Sequence, residues 1–272
     1  MFFTSAIAAL LLATVPETAA VTSANTDAVH RPRVSDPWNT RGTLSMTAAQ
    51  TTFSATIPAA GADRHFAGAA QGGVLAIDLY GRRLGFDLLL AGSQAALANP
   101  DPAAPIPRAA SGEASAAFTG VILNSRGIFL AAGPGVEARA TMAGALSADT
   151  NAAATSWQTA VAGGALHARV FVGPHVYLTG HGFAGAVALS GHWQSVDAAQ
   201  ILTSSSAGTA PIESGTLRDP AVYSGSLAAS VRPVEWIALS GGVAARDASF
   251  ATDGGHAREH GVRPFLGIEL LY

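Results

Sequence analysis

Apolar residues recur at every second position in segment after segment of this chain, a period that is typical of β-strands. Leu84, Phe86 and Leu88 share one face of one such segment. Gly85 and Asp87 share its opposite face. No segment shows an extended helical period, so the fold class is predicted to be all-β. The alternation predicts ten strands, at about 41–57, 68–80, 83–97, 112–124, 127–147, 156–172, 175–195, 221–232, 235–248 and 261–272.

The connections between these segments are alternately short and long. Tight turns with Gly or Pro are predicted at 81–83, 125–127, 173–175 and 232–235. Long segments rich in Gly, Ser, Ala, Pro and Asp are predicted as loops at 58–66, 98–111, 148–156, 196–220 and 251–260. This asymmetry is typical of membrane barrels with short periplasmic turns and long extracellular loops. We therefore predict a closed antiparallel transmembrane β-barrel of about ten strands, or eight if the first pair is a plug or leader.

The charge content separates a barrel from a soluble sheet protein. Of 272 residues, 12% are charged and 49% are hydrophobic, with a net charge of −3. A soluble sandwich exposes one strand face to water, which calls for many charged residues there. Here that face holds Gly, Ala and Ser with few charges, which suits the interior of a narrow barrel. All 15 basic residues are Arg and they are scattered, so nucleic acid is not a predicted partner.

The N-terminus indicates export. Residues 1–20 are predicted to be a signal peptide, with an apolar stretch at 6–15 and a small-residue cleavage site at 18–20. The alternative is a buried N-terminal helix. Residues 21–39 are predicted to be a flexible periplasmic leader, and residues 40–272 the barrel domain. The absence of Cys suits an oxidising compartment and excludes thiolate metal sites and cysteine nucleophiles.

The final strand, VRPFLGIELLY, resembles the C-terminal assembly signal of the bacterial outer-membrane β-barrel superfamily. Gly267, Leu270 and Tyr272 occupy the positions of the signal's glycine and its last two hydrophobic residues. Phe265 stands where the signal usually has a polar residue. The resemblance implies outer-membrane localisation, contact with outer-membrane lipid and insertion by the barrel-assembly machinery. It implies no particular activity.

Several charged residues fall on the face predicted to point inward. Charges inside a membrane barrel are tolerated when they are paired or hydrated. They are predicted either to form a network that plugs the lumen or to line a narrow passive pore. A structural or porin-like role is therefore the leading functional hypothesis. The predicted lumen charges are Asp78, Asp87, Glu137, Arg139, Arg169 and Glu269.

Four aromatic residues lie near predicted strand ends: Trp157, Trp193, Trp236 and Tyr177. Outer-membrane barrels place aromatic girdles at both membrane interfaces, so this position is consistent with an interfacial belt. Ordinary core packing explains each residue equally well.

Two other function classes remain as alternatives. One is a secreted soluble β-protein that binds a ligand through its loops, with residues 196–220 as the likeliest contact with a partner. The other is a small-barrel lipid hydrolase that uses Ser190 and His192, with Asp197 or Glu213 as the acid. The chain is not predicted to be an enzyme. No His-x-His pair occurs, and we predict neither a metal site nor a cofactor.

Overall fold

A computed structural model describes residues 42–57, 64–97, 108–125, 127–144, 153–197 and 212–271. The predicted signal peptide and leader lie outside these residues. Within the described part no helix is long and apolar enough to cross a membrane. The strands are β1 Gly42–Ile57, β2 Arg64–Tyr80, β3 Leu84–Leu97, β4 Arg108–Asn124, β5 Ile128–Gly144, β6 Ala153–Phe171, β7 Val176–Asp197, β8 Ile212–Thr216, β9 Arg218–Val234, β10 Ile237–Thr252 and β11 Gly255–Leu271.

The strands form a single antiparallel sheet that closes on itself. The order is β6-β5-β4-β3-β2-β1-β11-β10-β9-β7-β8, and pairing of β6 with β7 completes the ring. β8 and β9 both pair with β7, at its loop-side and turn-side parts respectively, so they occupy one strand position separated at Leu217. The predicted closed barrel of ten strands is confirmed, and the eight-strand alternative is wrong.

One end of the barrel holds short connections and both ends of the described chain; we call it the turn end. The tight turns predicted near 82, 126 and 174 lie there. The fourth turn lies at Glu235 and Trp236, because residues 232–234 still belong to β9. The opposite end, which we call the loop end, holds the connections at 58–63, 98–107, 145–152 and 198–211, whose residues lie outside the described part.

The predicted long loop at 251–260 is wrong. β10 and β11 are joined there by a tight turn at Asp253 and Gly254, and both strands continue into the predicted loop. The Thr252 hydroxyl accepts a hydrogen bond from the Gly254 amide at 3.3 Å, and Gly255 has a φ of 141°, which favours glycine. In residues 251–260 the strands extend beyond the apolar part of the outer face. Both faces of the strands carry polar residues there, and the segment therefore resembled a loop. The loop predicted at 196–220 is also shorter than expected, because β8 already begins at Ile212.

The outer face of the barrel carries a band of exposed large apolar side chains. Leu84 is 74% exposed and Leu266 is 73% exposed. Towards the loop end the band gives way to three glutamines, Gln50, Gln71 and Gln94, which are direct cross-strand partners on this face. Large exposed apolar surfaces mark contact with a partner or a membrane. The band encircles the barrel, so the hydrophobic face points outward.

Candidate functional site

The inward side chains of the barrel meet in the lumen, so the lumen is the candidate site. They form four layers that differ in chemistry. From the loop end to the turn end these are an apolar layer, an ionic layer, a histidine layer and a turn-end layer. Each layer is built from several strands.

The apolar layer closes the loop end of the lumen. Trp157 and Trp193, on adjacent strands, are direct cross-strand partners and both are buried. Phe66 stacks on Trp157 with ring centroids 6.0 Å apart. Further buried members are Ile57, Leu97, Val161, Leu217, Val222 and Phe250. Large buried apolar side chains therefore line the lumen at this level.

The ionic layer joins opposite walls of the barrel. Arg139 Nε on β5 lies 2.5 Å from Glu259 Oε1 on β11, and four strands separate these two on either side of the ring. Arg246 Nε on β10 donates to Glu137 Oε1 on β5 at 2.8 Å. Glu113 accepts from Arg139 Nη1 at 2.8 Å. The Arg139–Glu259 and Arg246–Glu137 pairs join strands on opposite sides of the ring, so they cross the lumen.

Hydrogen bonds connect the ionic layer to its surroundings. Trp157 Nε1 donates to Glu259 Oε2 at 3.1 Å, which ties the apolar layer to the charges below it. Ser224 Oγ donates to Glu137 Oε2 at 2.8 Å. Buried charges are stable when they are paired and their remaining lone pairs are hydrogen-bonded. This network satisfies both conditions for Glu137 and Glu259.

The histidine layer also spans the lumen. Tyr80 Oη on β2 hydrogen-bonds to Asp87 Oδ1 on β3 and to His167 Nδ1 on β6. Asp87 Oδ1 lies 3.4 Å from His167 Nδ1. The His167 ring packs edge-on against Tyr80 and Phe129, with centroids 4.9 and 5.6 Å away. At least three strands lie between β2 and β6, so these contacts bridge the barrel.

The turn-end layer closes the opposite mouth. Tyr177 Oη donates to Glu269 Oε2 at 2.5 Å, and Ser230 Oγ donates to Glu269 Oε1 at 2.9 Å. The Arg169 guanidinium lies over the Tyr177 ring, 5.1 Å from its centroid. Buried Leu271 packs with Tyr177.

A cavity of about 210 Å³ lies within these layers. Its walls include charged side chains of the ionic layer, such as Arg246 and Glu259, and of the lower layers, such as Asp78 and Glu269. A cavity of this size has room for several water molecules, which can satisfy the charged groups among its mostly apolar walls.

No protein-family model and no curated protein sequence matches this chain. The outer membrane protease OmpT of Escherichia coli has a similar structure, with a TM-score of 0.58 and 12% identity over 85% of this chain and 97% of that chain. An outer membrane channel of Pseudomonas putida F1 covers 93% of this chain and 100% of its own, with a TM-score of 0.40 and 11% identity. Ail of Yersinia pestis matches at a TM-score of 0.33 and 12% identity, over 85% of this chain and 99% of that chain. This chain has the outer-membrane β-barrel fold.

In this fold all six predicted lumen charges lie on the inward face of the barrel. Asp78, Glu137, Arg169 and Glu269 are buried on the inward face, and Asp87 and Arg139 are largely buried there. Further charges that were not predicted line the same cavity: Glu113, Arg246, Glu259 and Arg263. Glu259 was missed because it lies in the segment mistaken for a loop. Its spacing from Glu269, an even number of residues, was the signal that both share one face.

The interfacial-belt interpretation is wrong for three of its four aromatic residues. Trp157, Trp193 and Tyr177 are buried inside the barrel. Trp236 is 60% exposed and lies in the turn between β9 and β10, at the turn end. Position near a strand end does not reveal which face a side chain takes, and for these three residues core packing is correct. Phe118 and Tyr223 are the other large aromatics exposed in the described part.

Ser190 and His192 lie on the outer face of β7 and are exposed. Their neighbours across the sheet are Ala160 and Gln158. Glu213 pairs with buried Ser195, on the inward face. The barrel wall therefore separates Glu213 from the serine and histidine. The side chain of Asp197 lies outside the described part.

The predicted assembly-signal residues are in the last strand. Leu270 is exposed on the outer face and Gly267 lies on the inner face. A Cβ on Gly267 would lie 2.4 Å from Thr47 Cγ2 and 2.6 Å from the Met46 carbonyl, so glycine allows β1 and β11 to approach where the ring closes. Tyr272 lies outside the described residues, and the role of these residues in assembly stays a prediction.

Proposed function

We propose that this protein is a structural barrel of the outer membrane whose lumen is closed by its own side chains. The apolar outer band supports membrane insertion, because large apolar side chains that face water would be unfavourable in a soluble protein. The observation that most favours a closed lumen is the Arg139–Glu259 ion pair at 2.5 Å between opposite strands. A barrel of this width leaves little free space once side chains fill it.

The two kinds of connection support a direction for the proposed insertion. Short turns of outer-membrane barrels face the periplasm and long loops face outward. The turn end would therefore be periplasmic, and the loop end, with residues 198–211, would face the exterior. Insertion would require the barrel-assembly machinery. Contacts with extracellular partners would fall on the loop end, including the predicted segment 196–220.

Conductance in a planar lipid bilayer tests the closed lumen. We expect the wild-type barrel to show no steady single-channel steps. A Trp157→Ala/Trp193→Ala variant that also carries Arg139→Ala/Glu259→Ala should conduct, because it removes the two largest side chains of the apolar layer and the ion pair that crosses the lumen. Trp236→Ala is the control for the tryptophan changes, since it removes an exposed tryptophan from the turn between β9 and β10, and it should remain silent. Steady channels in the wild type would overturn the proposal.

A narrow passive pore is the second candidate function. The cavity of about 210 Å³, whose walls include charged side chains, favours it, because a continuous water path needs to connect only the two ends of this space to solvent. Conduction by the wild type would support this alternative, and its ion selectivity should then change when Arg246 is replaced.

The remaining two hypotheses have separate tests. A secreted soluble protein would leave the membrane fraction in a high-salt wash, whereas an inserted barrel should stay. A lipid hydrolase that depends on Ser190 would alter lipid A in cells that express the wild type but not the Ser190→Ala variant. We expect identical lipid A from both, because the barrel wall separates Glu213 from the exposed Ser190 and His192.

A further inference from the structure

Two cross-strand pairs of metal-binding residue types face each other in the histidine layer. Asp78 and Asp87 are direct partners on β2 and β3, and His167 and His181 are direct partners on β6 and β7. One ligand atom from each of Asp78, His167 and His181 lies within 4.8 Å of the others. The ligands of a tetrahedral zinc ion lie about 3.4 Å apart, since each is about 2.0–2.1 Å from the metal. The present separations, up to 4.8 Å, are wider than this, so binding would require the three side chains to move closer.

His167 has one ring nitrogen without a partner. The residue is 1% exposed, and its Nε2 makes no hydrogen bond among the described residues. Such buried polar atoms are rare and call for an explanation, such as an ion. The other nitrogen, Nδ1, is occupied by Tyr80 and Asp87.

The contact between Tyr80 and His167 bears on which ring nitrogen is free for a metal. The Tyr80 hydroxyl donates to Asp87. With Nδ1 of His167 as the donor to the Tyr80 oxygen, the lone pair of a neutral imidazole lies on Nε2, and that nitrogen would be the metal ligand.

The contacts behind His167 match those of known metal-binding histidines. Such histidines donate their second ring N–H to a carboxylate or a similar acceptor, which fixes the ring and makes the ligand nitrogen more basic. Asp87 and Tyr80 occupy that position here. Asp78 and Asp87 are moreover like charges directly opposite each other on one sheet face, an unfavourable arrangement. The guanidinium of Arg169 interacts with Asp87, and a bound metal would add a second cation to this cluster.

We propose that Asp78, His167 and His181 bind a divalent transition metal of the zinc class inside the lumen. Asp78 accepts a hydrogen bond from Thr43 Oγ1 at 2.7 Å, and its carboxylate retains lone pairs for a metal. Two imidazoles and one carboxylate suit Zn²⁺, with water as a fourth ligand. Mg²⁺ and Ca²⁺ prefer oxygen ligands throughout and fit this set poorly.

The bound ion would link β2 to β6 and β7 across the barrel. It would hold the lumen closed at a level where the ion pairs of the ionic layer do not reach. The inference goes beyond the proposed function and does not depend on it, because an ion can bind in a barrel that conducts or in one that does not.

Metal titration of the whole protein tests the site. The barrel, purified without a histidine tag and stripped with a chelator, is titrated with Co²⁺, whose visible absorption bands are intense in tetrahedral sites. We expect one equivalent of Co²⁺ to produce these bands, Zn²⁺ to abolish them and excess Mg²⁺ to leave them unchanged. Absence of tetrahedral bands in the folded wild type would overturn the proposal.

Variants locate the ion. His181→Gln and Asp78→Asn each remove one ligand, and Asn preserves an acceptor for Thr43; both should lose the Co²⁺ bands. Tyr80→Phe removes the group behind His167 and should weaken binding about 10–100-fold. The control is His256→Gln/His260→Gln, which removes two exposed histidines at the loop end and should bind as the wild type does. Bands that persist in His181→Gln and Asp78→Asn, or disappear in the control, would also refute the site.

Discussion

At the scale of single residues, the decisive property is whether a buried charge has partners on another wall of the barrel. Arg246 contacts Glu137 at 2.8 Å and Glu259 at 3.4 Å, and all three side chains are buried. Arg218 pairs with Asp253 at the loop end, but these side chains are 57% and 76% exposed. Solvent screens the second pair and not the first.

Replacing Arg246 with Met should reduce the free energy of unfolding by about 3–5 kcal/mol, because two buried carboxylates lose a partner. Arg218→Met is the matched control and should cost about 0–1 kcal/mol, as exposed ion pairs do. Urea titration of the folded barrel in lipid vesicles, followed by tryptophan fluorescence, measures both. Equal losses in the two variants would contradict the assignment of Arg246 to a buried network.

At the scale of the strand, residues alternate in the sequence because the outward and inward faces of each strand differ in chemistry. The outward residues of β3 are apolar from Leu84 to Gly92 and become polar at Gln94. Leu88 lies near the middle of this apolar stretch. Gln94 lies beside Gln71, at the loop-side limit of the band. The proposed membrane midplane therefore passes close to Leu88.

Leu88→Arg should reduce the free energy of unfolding in a bilayer by about 2–4 kcal/mol, because a cation then faces the middle of the hydrocarbon. Gln94→Arg introduces the same side chain on the same face of the same strand. At the membrane interface it should cost only about 0–1 kcal/mol. Unfolding titrations in vesicles compare the two. The face and depth assignments fail if Leu88→Arg is as stable as the wild type.

At the scale of the whole molecule, closure of the sheet pairs ten of the described strands on both sides. The ring pairs β1 with β11 and β6 with β7, and only the short β8 has a partner, β7, on one side alone. Closed barrels resist unfolding because all backbone hydrogen bonds between strands must be broken together. The layers across the lumen add contacts between walls that the backbone does not connect.

The closed barrel should be heat-modifiable on a gel. In detergent without boiling, outer-membrane fractions should contain a compact form whose mobility differs from that of the boiled, unfolded chain. The Arg246→Met variant should convert to the unfolded form at a lower temperature than Arg218→Met. A protein found in the soluble periplasm, with identical mobility before and after boiling, would be incompatible with a membrane barrel.

Much of the architecture follows from the sequence alone. The period of two, interrupted by turn residues, locates ten strands and places Asp78, Glu137 and Glu269 on the inward face. Local spacing is sufficient for this because side chains of a strand alternate strictly between its two faces. The same reasoning failed at residues 251–260, where both faces are polar because the strands extend beyond the apolar band.

Only the tertiary structure decided which side chains meet. His167 and His181 are separated by a turn, and Asp78 lies far from both in the chain, so no spacing motif links them. Strand register makes the two histidines direct partners, and closure of the ring brings Asp78 opposite them. The same applies to Arg139 and Glu259. Alternation is a property of each strand, whereas register and closure depend on the pairing of all the strands together.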